Sequence, residues 1–102
     1  TTLLFTANSP ITAAPHVMMV RYTLDQLEPL FVVGHTGFTL CVRQDSPIRD
    51  AQGLIAAMRA APGRMTYGTD GVGGNMHLAA ERAFRALGVE ATMVPFQGAA
   101  QT

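Results

Sequence analysis

Four glycines crowd one short turn, Gly68-Thr69-Asp70-Gly71-Val72-Gly73-Gly74, between an apolar run at residues 65–67 and an amphipathic run that begins at Asn75. A strand that turns through glycines into a helix presents consecutive backbone N–H groups at the positive end of the helix dipole. Such a turn accepts a carboxylate or a phosphate. The same glycines also make a tight βα turn with no ligand at all, and both readings stand on the residues alone. Two nucleotide chemistries can be tested directly. Gly68 and Gly73 have the outer spacing of a P-loop, but Gly74 and Asn75 stand where Lys and Ser/Thr must be, and the chain contains no lysine. A dinucleotide fingerprint needs glycine at 71, 73 and 76, and position 76 is Met76. Both fail.

The remaining reactive side chains are scattered. Ser9 and Ser46 are the only serines, and neither lies in a Gly-x-Ser-x-Gly elbow. Cys41, the single cysteine, sits between Leu40 and Val42 and reads as a buried inert thiol. His16, His35 and His77 are distant from one another, with no His-x-x-x-His pair for zinc. His77 falls in line with Glu81 and Arg85 at steps of four. That row is either a solvated polar stripe with a Glu81–Arg85 pair or, at its head, a histidine that borders the anion cradle and orients its backbone. Asn75 reads as the helix cap, and Asn8 and Ser9 either cap a helix or point polar groups at a ligand.

The elements that carry these residues follow from changes in apolar period. Residues 3–6 read as a short buried strand. Ser9-Pro10 starts a short helix over residues 11–16, with the Ser9 hydroxyl as its cap. Residues 30–33 and 38–42 are β-rich. Asp45-Ser46-Pro47 announces a helix over residues 50–61 with Leu54, Ile55, Met58 and Ala61 on one face, ended by Pro62-Gly63. Residues 65–67 form a strand. The helix over residues 75–87 buries Met76, Ala80, Ala83, Phe84 and Leu87 and closes at Gly88. A strand at residues 90–96 and the beginning of another helix complete the order β-α-β-β-α-β-α-β-α, the pattern of α/β layers on a mainly parallel sheet.

Composition narrows the function. The 102 residues are 48% hydrophobic and 14% charged, with zero formal net charge and all seven basic residues arginine. That suffices for a packed core and lacks the positive excess that nucleic acid or an anionic membrane surface would attract. The most apolar run, residues 29–33, is too short to span a bilayer. A lone cysteine excludes an intrachain disulfide. The chain opens inside an apolar strand and stops at a helix start, so both ends read as cut.

With those residues in view, the chain resembles the substrate-binding receptors of tripartite tricarboxylate transporters, the Bug family. Leu3-Leu4-Phe5-Thr6-Ala7-Asn8-Ser9-Pro10-Ile11 and Ala14-Pro15-His16 are similar to the segment after that family's first helix. Phe38-Thr39-Leu40-Cys41-Val42 matches a family strand, and Pro62-Gly63-Arg64-Met65-Thr66-Tyr67-Gly68 its "pGklsyGs" stretch. His77-Leu78-Ala79-Ala80-Glu81 matches "HLAgE", and Val94-Pro95-Phe96-Gln97-Gly98-Ala99-Ala100 matches "vPYkGaap". Each motif is weak alone; their order over nearly the whole chain is specific.

The resemblance implies part of a two-lobed type II periplasmic-binding fold that closes on a small organic carboxylate. Residues 1–36 would be part of the first lobe, and residues 37–102 the hinge strand and part of the second. The implied ligand contacts are Thr6, Ala7, Asn8 and Ser9 from one lobe, with Thr69, Asp70, Gly71, Gly73, Gly74, Asn75 and His77 from the other. The implied partners are the carboxylate and the membrane transporter subunits, the location is the periplasm, and no catalytic residue, cofactor or metal is expected. One departure bears on chemistry. Where the family has "SSGxGS", this chain has Thr69-Asp70-Gly71-Val72-Gly73-Gly74, so an acid replaces one hydroxyl and glycine another. A carboxylate beside an anion site is unfavourable unless it points away or meets an ammonium group on the ligand. Two other readings are an enzyme domain whose glycine loop holds a phosphorylated substrate, and a truncated remnant without ligand function. A strand at residues 3–5 without sheet neighbours would further favour self-association.

Overall fold

The computed structural model describes residues 2–98 and 100–102, so Thr1 and Ala99, the latter in the expected C-terminal helix, lie outside the described residues. The packed part is built from residues 50–96. Two short N-terminal helices, α1 (Ser9–Thr12) and α2 (Ala14–Val17), come first; helix α3 (Ala51–Ala60) then leads through a Pro-Gly turn to strand β1 (Thr66–Thr69), across the glycine loop to helix α4 (Asn75–Leu87), and back to strand β2 (Thr92–Pro95). β1 and β2 pair in parallel, with Thr66 opposite Thr92 and Thr69 opposite Pro95. This is the α/β layering expected, reduced among the described residues to one β-α-β unit with α3 packed on it.

Its core is Met58, Tyr67, Phe84 and Val89, flanked by Leu54, Ile55, Met65, Ala80, Ala91 and Met93. Met58 is 2% exposed, and burying such a side chain contributes about 1.5–3 kcal/mol. Tyr67 and Phe84 meet edge to face with ring centroids 5.1 Å apart, an arrangement that adds about 0.5–1.5 kcal/mol. Ala83 and Leu87 do not join this core as expected; both are exposed, because α4 turns the Ala80–Phe84 stripe inward.

Local chemistry sets the helix ends. Asp50 caps α3 by accepting the Gly53 amide at 2.7 Å, worth about 1 kcal/mol. Gly88 closes α4 in the left-handed conformation, φ 63°. The Val89 amide reaches back to the Phe84 carbonyl at 3.0 Å, and the Arg59 guanidinium donates to the Leu87 carbonyl at 3.1 Å. Cation and left-handed glycine together satisfy the Phe84, Arg85 and Leu87 carbonyls at the end of α4.

Several sequence expectations are corrected. Residues 3–6, 30–33 and 38–42 form no strand. Their β-branched and aromatic side chains suit a pleated surface, but a strand also needs a neighbour for its N–H and C=O groups, and none pairs with them among the described residues. Cys41 consequently lies exposed rather than buried. The helix expected over residues 11–16 is two short turns, α1 (Ser9–Thr12) and α2 (Ala14–Val17), each with proline near its start. Asn8, not Ser9, is the N-cap residue of α1 and makes no side-chain cap; Ser9 is buried inside the first turn. Tyr22 ties this segment together by donating its hydroxyl to the Pro10 carbonyl.

Candidate ligand-binding loop

Parallel strands joined by a helix place the carboxyl ends of β1 and β2 on the same edge, the edge where α/β sheets hold their ligands. Residues 69–74 leave β1 at that edge, and Phe96 and Gln97 leave β2 beside them. The Phe96 amide donates to the Thr69 carbonyl at 2.9 Å, so the two exits are locked together. The Phe96 ring lies on Gly68, where a Cβ would stand 3.1 Å from the ring. Glycine at 68 therefore answers a mild packing need: with the Thr102 methyl at 3.0 Å as well, a Cβ there would make both side chains give by a few tenths of an ångström. Glycine at 73 answers a different one: its φ is +75°, and a Cβ there would meet Val17 Cγ2 at 2.9 Å. Val17 and Met18 thus press the N-terminal segment onto the loop.

The loop's own amides are partly committed. The Gly73 N–H donates to His77 Nδ1 at 3.0 Å, and the Gly74 N–H donates to the Gly71 carbonyl at 3.3 Å. The Gly71 N–H reaches the Thr69 hydroxyl over a long 3.4 Å. Thr69 is itself 1% exposed. The first α4 bond runs from Leu78 N–H to the Gly74 carbonyl, so the amides of Asn75, Met76 and His77 are the ones helix geometry leaves to an outside acceptor. Gly74, not Asn75, is the extended N-cap residue of α4. Asparagine stands one position too late to cap, because the Gly73-Gly74 backbone has to complete the turn first.

Asp70 does not turn away from this edge. Its carboxylate lies on Gly74, where a Cβ would stand 2.8 Å from Cγ and nearer still to Oδ1. Oδ1 is buried and has no hydrogen-bond partner among the described residues, while the residue as a whole keeps partial exposure. The positive end of α4 favours a carboxylate there by about 0.3–1 kcal/mol.

Behind the loop, the Tyr67 hydroxyl donates to Glu81 Oε1 at 2.5 Å. Burial first, then the hydrogen bond and the negative charge of Glu81, raise the Tyr67 hydroxyl well above the ordinary tyrosine range. Glu81 therefore serves Tyr67, and the expected Glu81–Arg85 pair does not form among the described residues. Of the other expected contacts, Thr6, Ala7 and Asn8 are exposed and Ser9 is buried; the described link from their segment to the loop runs through Val17 and Met18 at Gly73. Sequence reasoning missed Val17, Met18 and Phe96. The position of Phe96, just past the next parallel strand, was the available signal. A separate concavity of about 790 Å³ opens at the other end of the unit, lined by Arg59, Pro62, Glu81, Phe84, Arg85 and Glu90 among others. Among the described residues no group of His, Cys, Asp and Glu is placed to hold a metal, and no helix is long and apolar enough to cross a membrane.

A parallel β-α-β unit with a glycine-rich loop at the carboxyl edge of its strands defines an α/β architecture. Residues 1–102 match the tripartite tricarboxylate transporter family receptor, and the chain belongs to that family. It is 31% identical over 101 residues to a UPF0065 protein of Bordetella pertussis, covering 98% of this chain and 31% of that one. It is 30% identical over 92 residues to a UPF0065 protein of Cupriavidus necator, covering 87% of this chain and 28% of the relative. The chain thus spans about a third of the length of these relatives. Among solved structures it is similar to Rpa4515 of R. palustris with adipate, at TM-score 0.54 and 33% identity over 57% of this chain and 19% of that one.

Proposed function

We propose that residues 1–102 form part of a two-lobed periplasmic receptor that captures a small organic carboxylate for a tripartite tricarboxylate-type transporter, without transforming it. Residues 1–36 contribute to one lobe and residues 37–102 to the hinge and the other. The observation that carries this reading is the family match along the whole chain, with the glycine loop lying where an α/β sheet holds ligands. The uncommitted amides of Asn75, Met76 and His77 supply donors for a carboxylate at the head of α4. Thr6, Ala7, Asn8 and Ser9 approach the ligand from the opposing lobe on closure. Adipate, present with the R. palustris neighbour, makes linear dicarboxylates the first ligands to try.

The test is calorimetry of the protein as its gene encodes it, including any sequence that flanks residues 1–102, against adipate, glutarate, succinate and their amino derivatives. Saturable one-to-one binding of an organic acid that is recovered unchanged is the expected result. No binding of any member, or turnover of a phosphorylated compound, overturns it. Taken alone, residues 1–102 should self-associate, since Leu30, Phe31, Val32 and Val33 are all exposed and unpaired edges recruit partners. Light scattering measures that directly.

A further inference from the structure

We infer that Asp70 makes this receptor select carboxylates that also carry an ammonium group; the inference rests on the carboxylate-receptor reading above. Three observations converge. Asp70 sits in the loop at the carboxyl edge of β1, against the N-cap residue of α4, with Oδ1 buried and without a hydrogen-bond partner among the described residues. Gly74 leaves the room that the carboxylate fills, since a Cβ at that position would collide with it. Two amides of the loop are engaged elsewhere, Gly73 by His77 and Gly74 by Gly71, and those of Asn75, Met76 and His77, left open at the head of α4, make no bond to Oδ1.

The consequence is a loop with a split character. The amides of Asn75, Met76 and His77 attract an anion, while a few residues earlier Asp70 repels one. A plain dicarboxylate brought to this loop sets like charges side by side, which weakens its binding. A ligand that places an ammonium between its carboxylate and Asp70 removes the repulsion and gives the acid the donors it lacks. An α-amino acid has that geometry, with both charged groups carried on one carbon.

Calorimetry of the full-length protein on matched pairs reads the selection: succinate against aspartate, glutarate against glutamate, propionate against alanine. The wild-type protein should bind the amino member of its preferred pair at least about tenfold more tightly. Asp70→Asn and Asp70→Ser should both bring that ratio towards one, by weakening the amino acid and strengthening the plain acid. Melting curves verify that both variants fold. Equal or tighter binding of the plain acid by the wild type, or a ratio that neither variant moves, overturns the selection while leaving the receptor reading intact. If neither these pairs nor adipate bind, the receptor reading fails and the selection fails with it; adipate binding without any of the pairs overturns the selection alone.

Discussion

The Gly73 amide donates to His77 Nδ1 across 3.0 Å, so the first turn of α4 holds the loop that precedes it. The bond spans four residues and fixes the one glycine in the loop that is both buried and in a left-handed conformation. Replacing His77 by Ala removes the acceptor and strands the amide, at about 1–3 kcal/mol. His77→Ala should therefore lower the melting temperature by several degrees and loosen the loop. Hydrogen exchange at the Gly73 amide, faster in the variant, checks the second effect; unchanged exchange would show that the imidazole does not hold the turn.

Tyr67 predicts an alkaline limit to stability. Its hydroxyl is raised by burial and by Glu81, so the folded state holds this proton more tightly than the unfolded chain does. The stabilisation is fully present below the ordinary tyrosine value of about 10 and is lost as pH rises above it. Tyr67→Phe keeps the edge-to-face pair with Phe84 but removes the titrating group. Melting temperature should fall more steeply above about pH 10 in the wild type than in Tyr67→Phe. Parallel curves for the two proteins would exclude Tyr67 as the cause.

The parts of this fold that were legible are those that local chemistry decides. The span Asn75–Leu87 follows from its apolar period and from Gly88, which only the left-handed conformation at a helix end requires. The helix expected over residues 50–61 is found as Ala51–Ala60, although Asp50, accepting from Gly53, and not Asp45-Ser46-Pro47, starts it. Residues 30–33 and 38–42 show the opposite case, because their composition describes a surface for pairing and not the partner. At the loop, glycine spacing located the turn, yet the contacts that explain Gly68 and Gly73 come from Phe96 and Val17, far away in sequence. His77 was legible both as part of a polar stripe and as a histidine that orients the loop backbone, and the backbone path shows that it takes the Gly73 amide.

Gly73 tests the contact between the N-terminal segment and the loop. Alanine there meets two separate penalties, a φ of +75° and a Cβ 2.9 Å from Val17 Cγ2. The left-handed backbone alone costs about 1–2 kcal/mol. Gly73→Ala should therefore destabilise by more than that figure. Adding Val17→Ala should recover the steric part and leave the backbone part. Urea unfolding of the single and double variants separates the two; if Val17→Ala recovers nothing, α2 does not rest on the loop.

Asp70 and Gly74 should behave as one unit. The family's hydroxyl-bearing residues are replaced at both positions here, and the geometry supplies the reason: the Asp70 carboxylate occupies the space that a side chain at 74 would need. Gly74→Ser in the wild-type background forces the carboxylate off the head of α4 and should destabilise the protein. Serine is a good N-cap residue, with a hydroxyl that can accept from the first turn, so in isolation the change ought to help by a few tenths of a kcal/mol. The two expectations have opposite signs, which makes the outcome decisive. In the Asp70→Ser background the obstruction is gone, and Gly74→Ser should become neutral or stabilising. The coupling energy from the four-protein cycle should fall within about 0.5–3 kcal/mol, the range for residues in direct contact. Additive effects would show that the carboxylate moves aside freely and that the two replacements are independent.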